Sequence, residues 1–490
     1  MNILLLTSSA ALVAAVLLRL GGERLQTVCT GAVALSTIAA VVLAGWGAWQ
    51  GVVLLLGGLA VLGTARLPRR QSTRGPHRVV RTLMLGAALP GATAAAGLAV
   101  LFPLFSLPPP TGPHQVGIRY FFPVDSTRSE RLTPEPTDRR VVPLRVWYPA
   151  DAVPDVAVAP YWPDPAARAA TLAGELGLPG LFFSHLDLIA THAHPGAPLL
   201  RSAAGHPVLL FSHGYAGAPD QSTFLMEDLA SHGYVVVSVG HPYEALPLEV
   251  PSGTTNLISQ TPEPTPELVD TSLRLLEELR ASNSAGRARH AELLPAIAGL
   301  PALEESFAVW VADAQFALDW IVEAAGLDGA LAGPIDATQV GVFGHSFGGA
   351  MAAEVCRSDS RCEAGIKIEG AQLGVVAEQG LSAPFLFLYS EPSLWINHAV
   401  AEMSPAATQA TIAGSAHLDF TDLPPMTPIL RLVSMVSPIP QTGSIDRDDL
   451  VWRTREVIRR FFDAHLRGYE SPEAPYTNVP GVIFERGSGR

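Results

Sequence analysis

Gly344-His345-Ser346-Phe347-Gly348 joins an apolar run at 340–343 to a run of small residues at 349–353. That order predicts strand, sharp turn and helix, and G-x-S-x-G in such a context reads as a nucleophile elbow. Its chemistry is acyl transfer: the turn holds the serine hydroxyl at the tip of a sheet, where a general base can take its proton. Three histidines follow the serine: His398, His417 and His465. His417 stands in Gly414-Ser415-Ala416-His417, just after the apolar run at 410–412. A loop after the last strand suits the base in the chain order serine, acid, histidine. His465 falls in an amphipathic helix over 451–466, and His398 in a loop.

An acid must hold the imidazole tautomer and stabilise its positive form. Glu369 ends the run at 365–368, and Glu391 follows the run at 385–388, one strand later. The commonest layout favours Glu391, and either could serve. Asp419 and Asp422 lie too near His417 in sequence and read as loop residues. A developing oxyanion needs backbone donors. Ser212-His213-Gly214-Tyr215 follows the run at 208–211 and suits one side of that hole. The N–H of Phe347, directly after the serine, suits the other. His213 precedes the serine and reads as structural.

These loops need a sheet to position them. Apolar runs at 145–148, 208–211, 234–239, 340–343, 365–368, 385–388 and 410–412 are separated by helical patterns, one over 224–230. Strands alternating with helices predict an α/β fold, a mostly parallel central sheet flanked by helices. Ligands gather at the C-terminal ends of such strands. With the elbow, this is the pattern of an α/β-hydrolase.

At 490 residues, more than one region is expected. Residues 1–106 carry eight Arg and one acid, a net of +7, in a chain of −13; residues 107–490 therefore carry −20. Such asymmetry separates a membrane segment from a soluble domain, and an acidic remainder argues against nucleic acid as a partner. Lys367 is the only lysine; Arg in its place elsewhere, with abundant Ala, Gly and Pro, predicts a GC-rich bacterial source. Lys367 reads as a sheet-edge charge partner of Glu369. Cys29, Cys356 and Cys362 are too few for a disulfide framework. The last two are either one local disulfide or two buried thiols. No spacing suggests a metal site, and acyl transfer to serine needs no cofactor.

Uncharged stretches at 2–18, 25–65 and 82–106 predict about four transmembrane helices, the second stretch splitting near Trp46 and Trp49. Six Arg between 66 and 81 mark the last loop as cytoplasmic and place the region after Ser106 outside. The expected division is a transmembrane domain at 1–106, a Pro-rich linker at 107–113 and a hydrolase domain at 114–490. The bilayer is then a partner and the location a multi-pass membrane one, with the catalytic domain extracytoplasmic. Segments 164–200 and 245–310 read as insertions, the first with an apolar stretch at 178–183 that could line a pocket or touch lipid.

From about Val116 to Leu466 the chain resembles the platelet-activating factor acetylhydrolase family of the plasma and type II kind. The resemblance rests on Phe211-Ser212-His213-Gly214, Asp228-Leu229-Ala230-Ser231-His232-Gly233-Tyr234, Gly344-His345-Ser346-Phe347-Gly348-Gly349-Ala350, Gly365-Ile366-Lys367-Ile368-Glu369, and Gly414-Ser415-Ala416-His417 with Phe420. It implies a serine esterase of the phospholipase A2 type for short or oxidised sn-2 acyl chains. Its triad would be Ser346, Glu369 and His417, with the N–H groups of Tyr215 and Phe347 as oxyanion donors. The family acid is usually Asp, and Glu is one methylene longer. A broad carboxylesterase or polyester hydrolase is the neighbouring reading. A non-catalytic, membrane-tethered binding module is the reading from another class.

Overall fold

The computed structural model describes residues 105–490, except 152–156, 163–164, 176–182, 184–185, 187, 252, 256–300, 327–334, 392–395, 427–430, 432–433, 436–440, 470–476 and 487–490. No helix among the described residues is long and apolar enough to cross a membrane. The four expected spans fall almost wholly on residues 1–104, outside the described residues, as does most of the apolar stretch at 178–183.

A ten-stranded sheet organises the larger unit. Its strands are β1 (Gln115–Phe121), β2 (Leu144–Ala150), β3 (Ala193–Pro195), β4 (His206–Ser212), β5 (Val235–Val239), β6 (Ile335–His345), β7 (Cys362–Ile368), β8 (Phe385–Ser390), β9 (Ala407–Ile412) and β10 (Val482–Arg486). Their spatial order is β10-β9-β8-β7-β6-β4-β5-β2-β1-β3. From β5 across to β9 all neighbours are parallel; β2 pairs antiparallel with β1 and β5, and β10 with β9. Parallel strands are covered on both faces, so their sequences run apolar rather than alternating. β4 (HPVLLFS) and β5 (VVVSV) are buried at every position. Each such Val or Leu side chain stabilises the fold by roughly 1.5–3 kcal/mol.

The sheet is an α/β-hydrolase sheet, and the strands read from the sequence all lie in it. β1, β3 and β10 were not expected. β3 and β10 are the two edge strands and β1 pairs with β3; none of the three is a fully buried apolar run, Pro195 of β3 and Ile483 of β10 being exposed. β10 also follows His417 in the chain, so β9 is the last parallel strand rather than the last strand. The expected insertion at 245–310 ends inside a long helix.

Helices pack on the sheet: α1 (Thr223–Ser231), α2 (Pro301–Gly326), α3 (Phe347–Ser358) and α4 (Arg447–Arg467). α4 starts where the Asp446 carboxylate accepts the N–H groups of Asp448 and Asp449, a side-chain cap for first-turn donors that lack carbonyls. It stops at Gly468, left-handed at φ 67°. The Pro-rich segment is tied to this unit. Buried Arg455 of α4 donates to the carbonyls of Pro108, Pro109 and Phe224, and Thr111 N–H donates to Asp228. Cys356, near the end of α3, is disulfide-bonded to Cys362, the first residue of β7. Of the two readings open for these cysteines, the structure takes the disulfide.

A second unit takes in 1–106, 160–190 and 424–432. Its described part includes the helix Pro165–Glu175 and the stacked rings of Tyr161 and Trp162, 5.8 Å between centroids.

Candidate active site

β6 ends at His345 and α3 begins at Phe347, leaving Ser346 alone in the turn. Its backbone lies at φ 55°, ψ −116°. Such a conformation costs a non-glycine residue roughly 1–3 kcal/mol and persists only where the surroundings enforce it. Here the enforcement is backbone crowding. A Cβ on Gly344 would lie 2.4 Å from the Gly348 carbonyl, and one on Gly348 would lie 2.3 Å from the His213 oxygen. Ser346 N–H donates to Ile368 O at 2.7 Å, and Ser346 O accepts from Ala350 N–H at 3.1 Å. The elbow is thus pinned to the end of β7 and to the first turn of α3.

Glu369 follows β7 and is also left-handed, at φ 63°. Its N–H donates to Leu388 O at 2.8 Å. That turn aims the side chain back across the strand ends. One carboxylate oxygen accepts from Ser390 N–H; the other lies 3.1 Å from His417 Nδ1. The carboxylate is fully buried, and the imidazole is 30 % exposed. A buried carboxylate facing Nδ1 favours the tautomer that carries the proton there and leaves Nε2 unprotonated, the form a general base needs.

His417 sits on a braced loop. Glu391 does not reach it: its carboxylate accepts Gly414 N–H at 2.8 Å. Asp419 accepts Ala416 N–H at 2.9 Å and Gly443 N–H at 2.7 Å. Of the two candidate acids, the structure brings Glu369 to the imidazole and uses Glu391 to hold its loop. His345 donates from Nε2 to His417 O at 2.9 Å. Burial, then the neighbouring His417, pushes the His345 pKa down to about 3, so it stays neutral. His398 bonds Glu402 and Gln409, and His465 packs on Phe461; neither is brought to Ser346 by these contacts.

The loop after β4 comes against the elbow. A Cβ on Gly214 would lie 3.4 Å from Ser346 Cβ. Tyr215 follows it, and Ala216 is left-handed at φ 56°. Phe347 opens α3, so its N–H is a first-turn donor with no carbonyl partner within the helix. Tyr215 and Phe347 meet edge to face, 5.9 Å between ring centroids. His213 is buried and donates from Nδ1 to Gly214 O at 2.7 Å.

Lys367 corrects one expectation. It is not at a sheet edge, because β7 lies between β6 and β8. The side chain is fully buried, and Nζ donates to Ser346 O at 3.2 Å. Burial lowers its pKa to about 7, against the opposing pull of Glu369. The single lysine therefore supports the elbow. Strand parity could show that Lys367 and Glu369 share a face, but not that this face is covered by α3.

Residues 100–447 match the family model for platelet-activating factor acetylhydrolase, isoform II. The chain belongs to this family. Among its relatives, the platelet-activating factor acetylhydrolase of Bos taurus is 25 % identical over 300 residues, covering 59 % of this chain and 62 % of that one. That of Canis lupus familiaris is 25 % identical over 311 residues, covering 59 % and 65 %. The match thus spans less than two thirds of either relative. A ferulic acid esterase from Streptomyces cinnamoneus is similar in structure, with a TM-score of 0.55 and 26 % identity over 78 % of this chain and 99 % of that one. The family model carries the name of an acetylhydrolase, and the structural neighbour is itself an esterase. Ser346, Glu369 and His417 all fall inside the matched region.

Proposed function

We propose that the chain is a serine ester hydrolase acting on lipid or other apolar esters, of the kind that carry short or oxidised sn-2 acyl chains. The carrying observation is the fully buried Glu369 carboxylate 3.1 Å from His417 Nδ1, beside a serine held at φ 55°. Ser346 Oγ attacks the ester carbonyl while His417 Nε2 takes its proton. The carbonyl oxygen becomes an oxyanion, held by the N–H groups of Tyr215 and Phe347. As the C–O bond breaks, His417 returns the proton to the leaving alcohol. Water then attacks the acyl-enzyme, giving its proton to His417, and the acid leaves with Ser346 restored. Glu369 stabilises the imidazolium in both halves.

Membrane anchoring by residues 1–106, with the catalytic unit outside the cytoplasm, belongs to the same proposal and rests on the apolar stretches and the Arg distribution. It would hold the site near a bilayer and raise the local concentration of lipid esters. A second reading, a general carboxylesterase, is favoured by the structural neighbour. The likeness to the ferulic acid esterase covers 99 % of that chain, against 62 % for the Bos taurus relative.

The test compares release of acid from an sn-2 acetyl phospholipid and from p-nitrophenyl butyrate, using the full chain and Ser346→Ala. Phospholipid turnover that vanishes in the variant is the expected result. Turnover of the small ester alone would move the function to general esterase. Turnover of neither, with no labelling of Ser346 by a fluorophosphonate, would refute the hydrolase reading.

A further inference from the structure

Behind the proposed oxyanion loop lies a buried chain of polar groups that the mechanism above does not use. Ser212 Oγ is 3.0 Å from His241 Nε2, and His241 Nδ1 is 3.0 Å from Asp313 Oδ2. Arg140 forks onto Asp313 through Nε at 3.2 Å and Nη2 at 2.7 Å, and Arg128 adds an ion pair at 2.8 Å. Burial lowers the His241 pKa, while Arg140 and His241 hold Asp313 well below the usual carboxylate range. Neutral His241 therefore donates from Nδ1 to a carboxylate and accepts the Ser212 hydroxyl at Nε2.

The order of groups is that of a catalytic triad, but the place is not. Ser212, His241 and Asp313 are each 0 % exposed. A cavity of about 370 Å³ nearby is lined by Arg140 and Glu244, and by neither Ser212 nor His241. No ester can reach this serine.

What the chain does reach is an aromatic plate. The His241 ring stacks on the Trp310 indole at 3.7 Å and 11°. The indole N–H donates to the Glu244 carboxylate at 2.8 Å, which also accepts from Ser306. The carbonyl of the same Glu244 accepts Ala216 N–H at 3.0 Å, inside the oxyanion loop. Both proposed oxyanion residues then rest on Trp310. Phe347 meets it edge to face at 4.9 Å, and Tyr215 stacks along it at 6.5 Å and 16°. His213 packs edge-on against it at 4.9 Å.

We propose that Trp310, locked by His241–Asp313–Arg140 on one face and by Glu244 at its edge, is the positioning residue that sets the two oxyanion N–H groups relative to each other. The proposal rests on the ester-hydrolase reading of Ser346. Oxyanion donors act only when aimed at the place where negative charge develops, and losing one costs about 10²–10³ in kcat. A shifted plate would misplace both donors without touching Ser346, His417 or Glu369.

The test uses the full chain with Trp310→Phe, which keeps a ring but loses the indole N–H, and His241→Gln, which removes the stacked ring. For p-nitrophenyl butyrate, kcat is expected to fall about 10- to 100-fold with KM within about twofold. Inhibition by an alkyl trifluoromethyl ketone, whose serine adduct carries the oxyanion, is expected to weaken by the same factor. The pH dependence of kcat/KM should keep its midpoint, because the His417–Glu369 pair is untouched. A general loss of packing would lower the active fraction, titrated with a fluorophosphonate, and leave per-site kcat and ketone affinity unchanged. That result overturns the proposal, as does a rise in KM alone or full activity in both variants. Labelling of Ser212 in Ser346→Ala would overturn it too, by making the buried chain a second nucleophile. If His241→Gln does not fold, Trp310→Phe decides alone. Absence of Ser346-dependent turnover in the unaltered chain would instead bring down the hydrolase reading, and the positioning role with it.

Discussion

Lys367→Met should stabilise the protein in mild acid and destabilise it in alkali. The ammonium is fully buried, and its pKa falls from 10.5 to about 7, chiefly through burial. At about 1.4 kcal/mol per tenfold change, keeping the charge inside costs about 5 kcal/mol wherever both states are protonated, below pH 7. The bond from Nζ to Ser346 O offsets roughly 1.5–3 kcal/mol of that, as a hydrogen bond to a charged group. Methionine fills the same unbranched volume against Gly349, where an added Cβ would lie 2.9 Å from Lys367 Cγ. The variant should therefore gain roughly 2–3 kcal/mol at pH 6. From about pH 7 to 10.5 the unfolded chain holds a proton that the folded chain has lost, so this group makes stability rise with pH. By pH 10.5 little of the charge cost remains, and the variant lacks a neutral hydrogen bond, about 1 kcal/mol. The assay is thermal unfolding of both full chains, followed by tryptophan fluorescence at pH 6 and pH 10.5. At roughly 2–4 °C per kcal/mol, the variant should melt about 5–10 °C higher in acid and a few degrees lower in alkali. An equal shift at both pH values, or a less stable variant at pH 6, would refute the assignment of a buried, strongly perturbed amine.

Two further outcomes follow from the same geometry. Glu369→Gln should lower kcat about 10³–10⁴-fold, because the amide no longer fixes the His417 tautomer, whereas Glu391→Gln should stay within about threefold, since an amide oxygen can still accept Gly414 N–H; steady-state rates on p-nitrophenyl butyrate decide, and the reverse ranking would make Glu391 the acid. Replacing Cys356 and Cys362 together by Ser should cost about 2 kcal/mol, the chain-entropy value for a loop closed over six residues, read as a lower denaturation midpoint in the absence of reductant.

The parts of the site legible in the sequence are those set by local geometry. Gly344 and Gly348 flank Ser346 because backbone passes 2.3–2.4 Å from where their Cβ atoms would stand, and that crowding leaves a written trace as G-x-S-x-G. β4, β5 and β8 are legible because strands buried on both faces are mostly apolar; β9, Ala-Thr-Gln-Ala-Thr-Ile, is buried at every position with a much weaker pattern. The choice between the two candidate acids has no such trace. Glu369 and Glu391 both follow apolar strands, and what separates them is a backbone turn at φ 63° together with a fully buried carboxylate. Unlike Ser346, Glu369 has only one flanking glycine, Gly370, and nothing local to mark its left-handed turn. The Ser212–His241–Asp313 chain leaves no local signal for another reason: its members are 29 and 72 residues apart, the first two meeting through the pairing of β4 with β5 and the third brought in by α2.

The length of the side chain at 369 is matched to its anchors. Here Glu369 is held at both ends. Its N–H is fixed to Leu388 O at 2.8 Å, and its first carboxylate oxygen is fixed to Ser390 N–H, so both anchors lie on β8. With these two points fixed, the second oxygen faces Nδ1 of His417. Glu369→Asp therefore shortens the acid by one methylene on an unchanged backbone turn. A shorter side chain on the same turn can keep the Ser390 bond or the His417 bond, but not both. The expected result is a loss of about 10-fold or more in kcat, smaller than for Glu369→Gln because the charge remains. Unchanged activity in Glu369→Asp would show that the turn relaxes, and that the strained backbone at Glu369 does not set the reach of the acid.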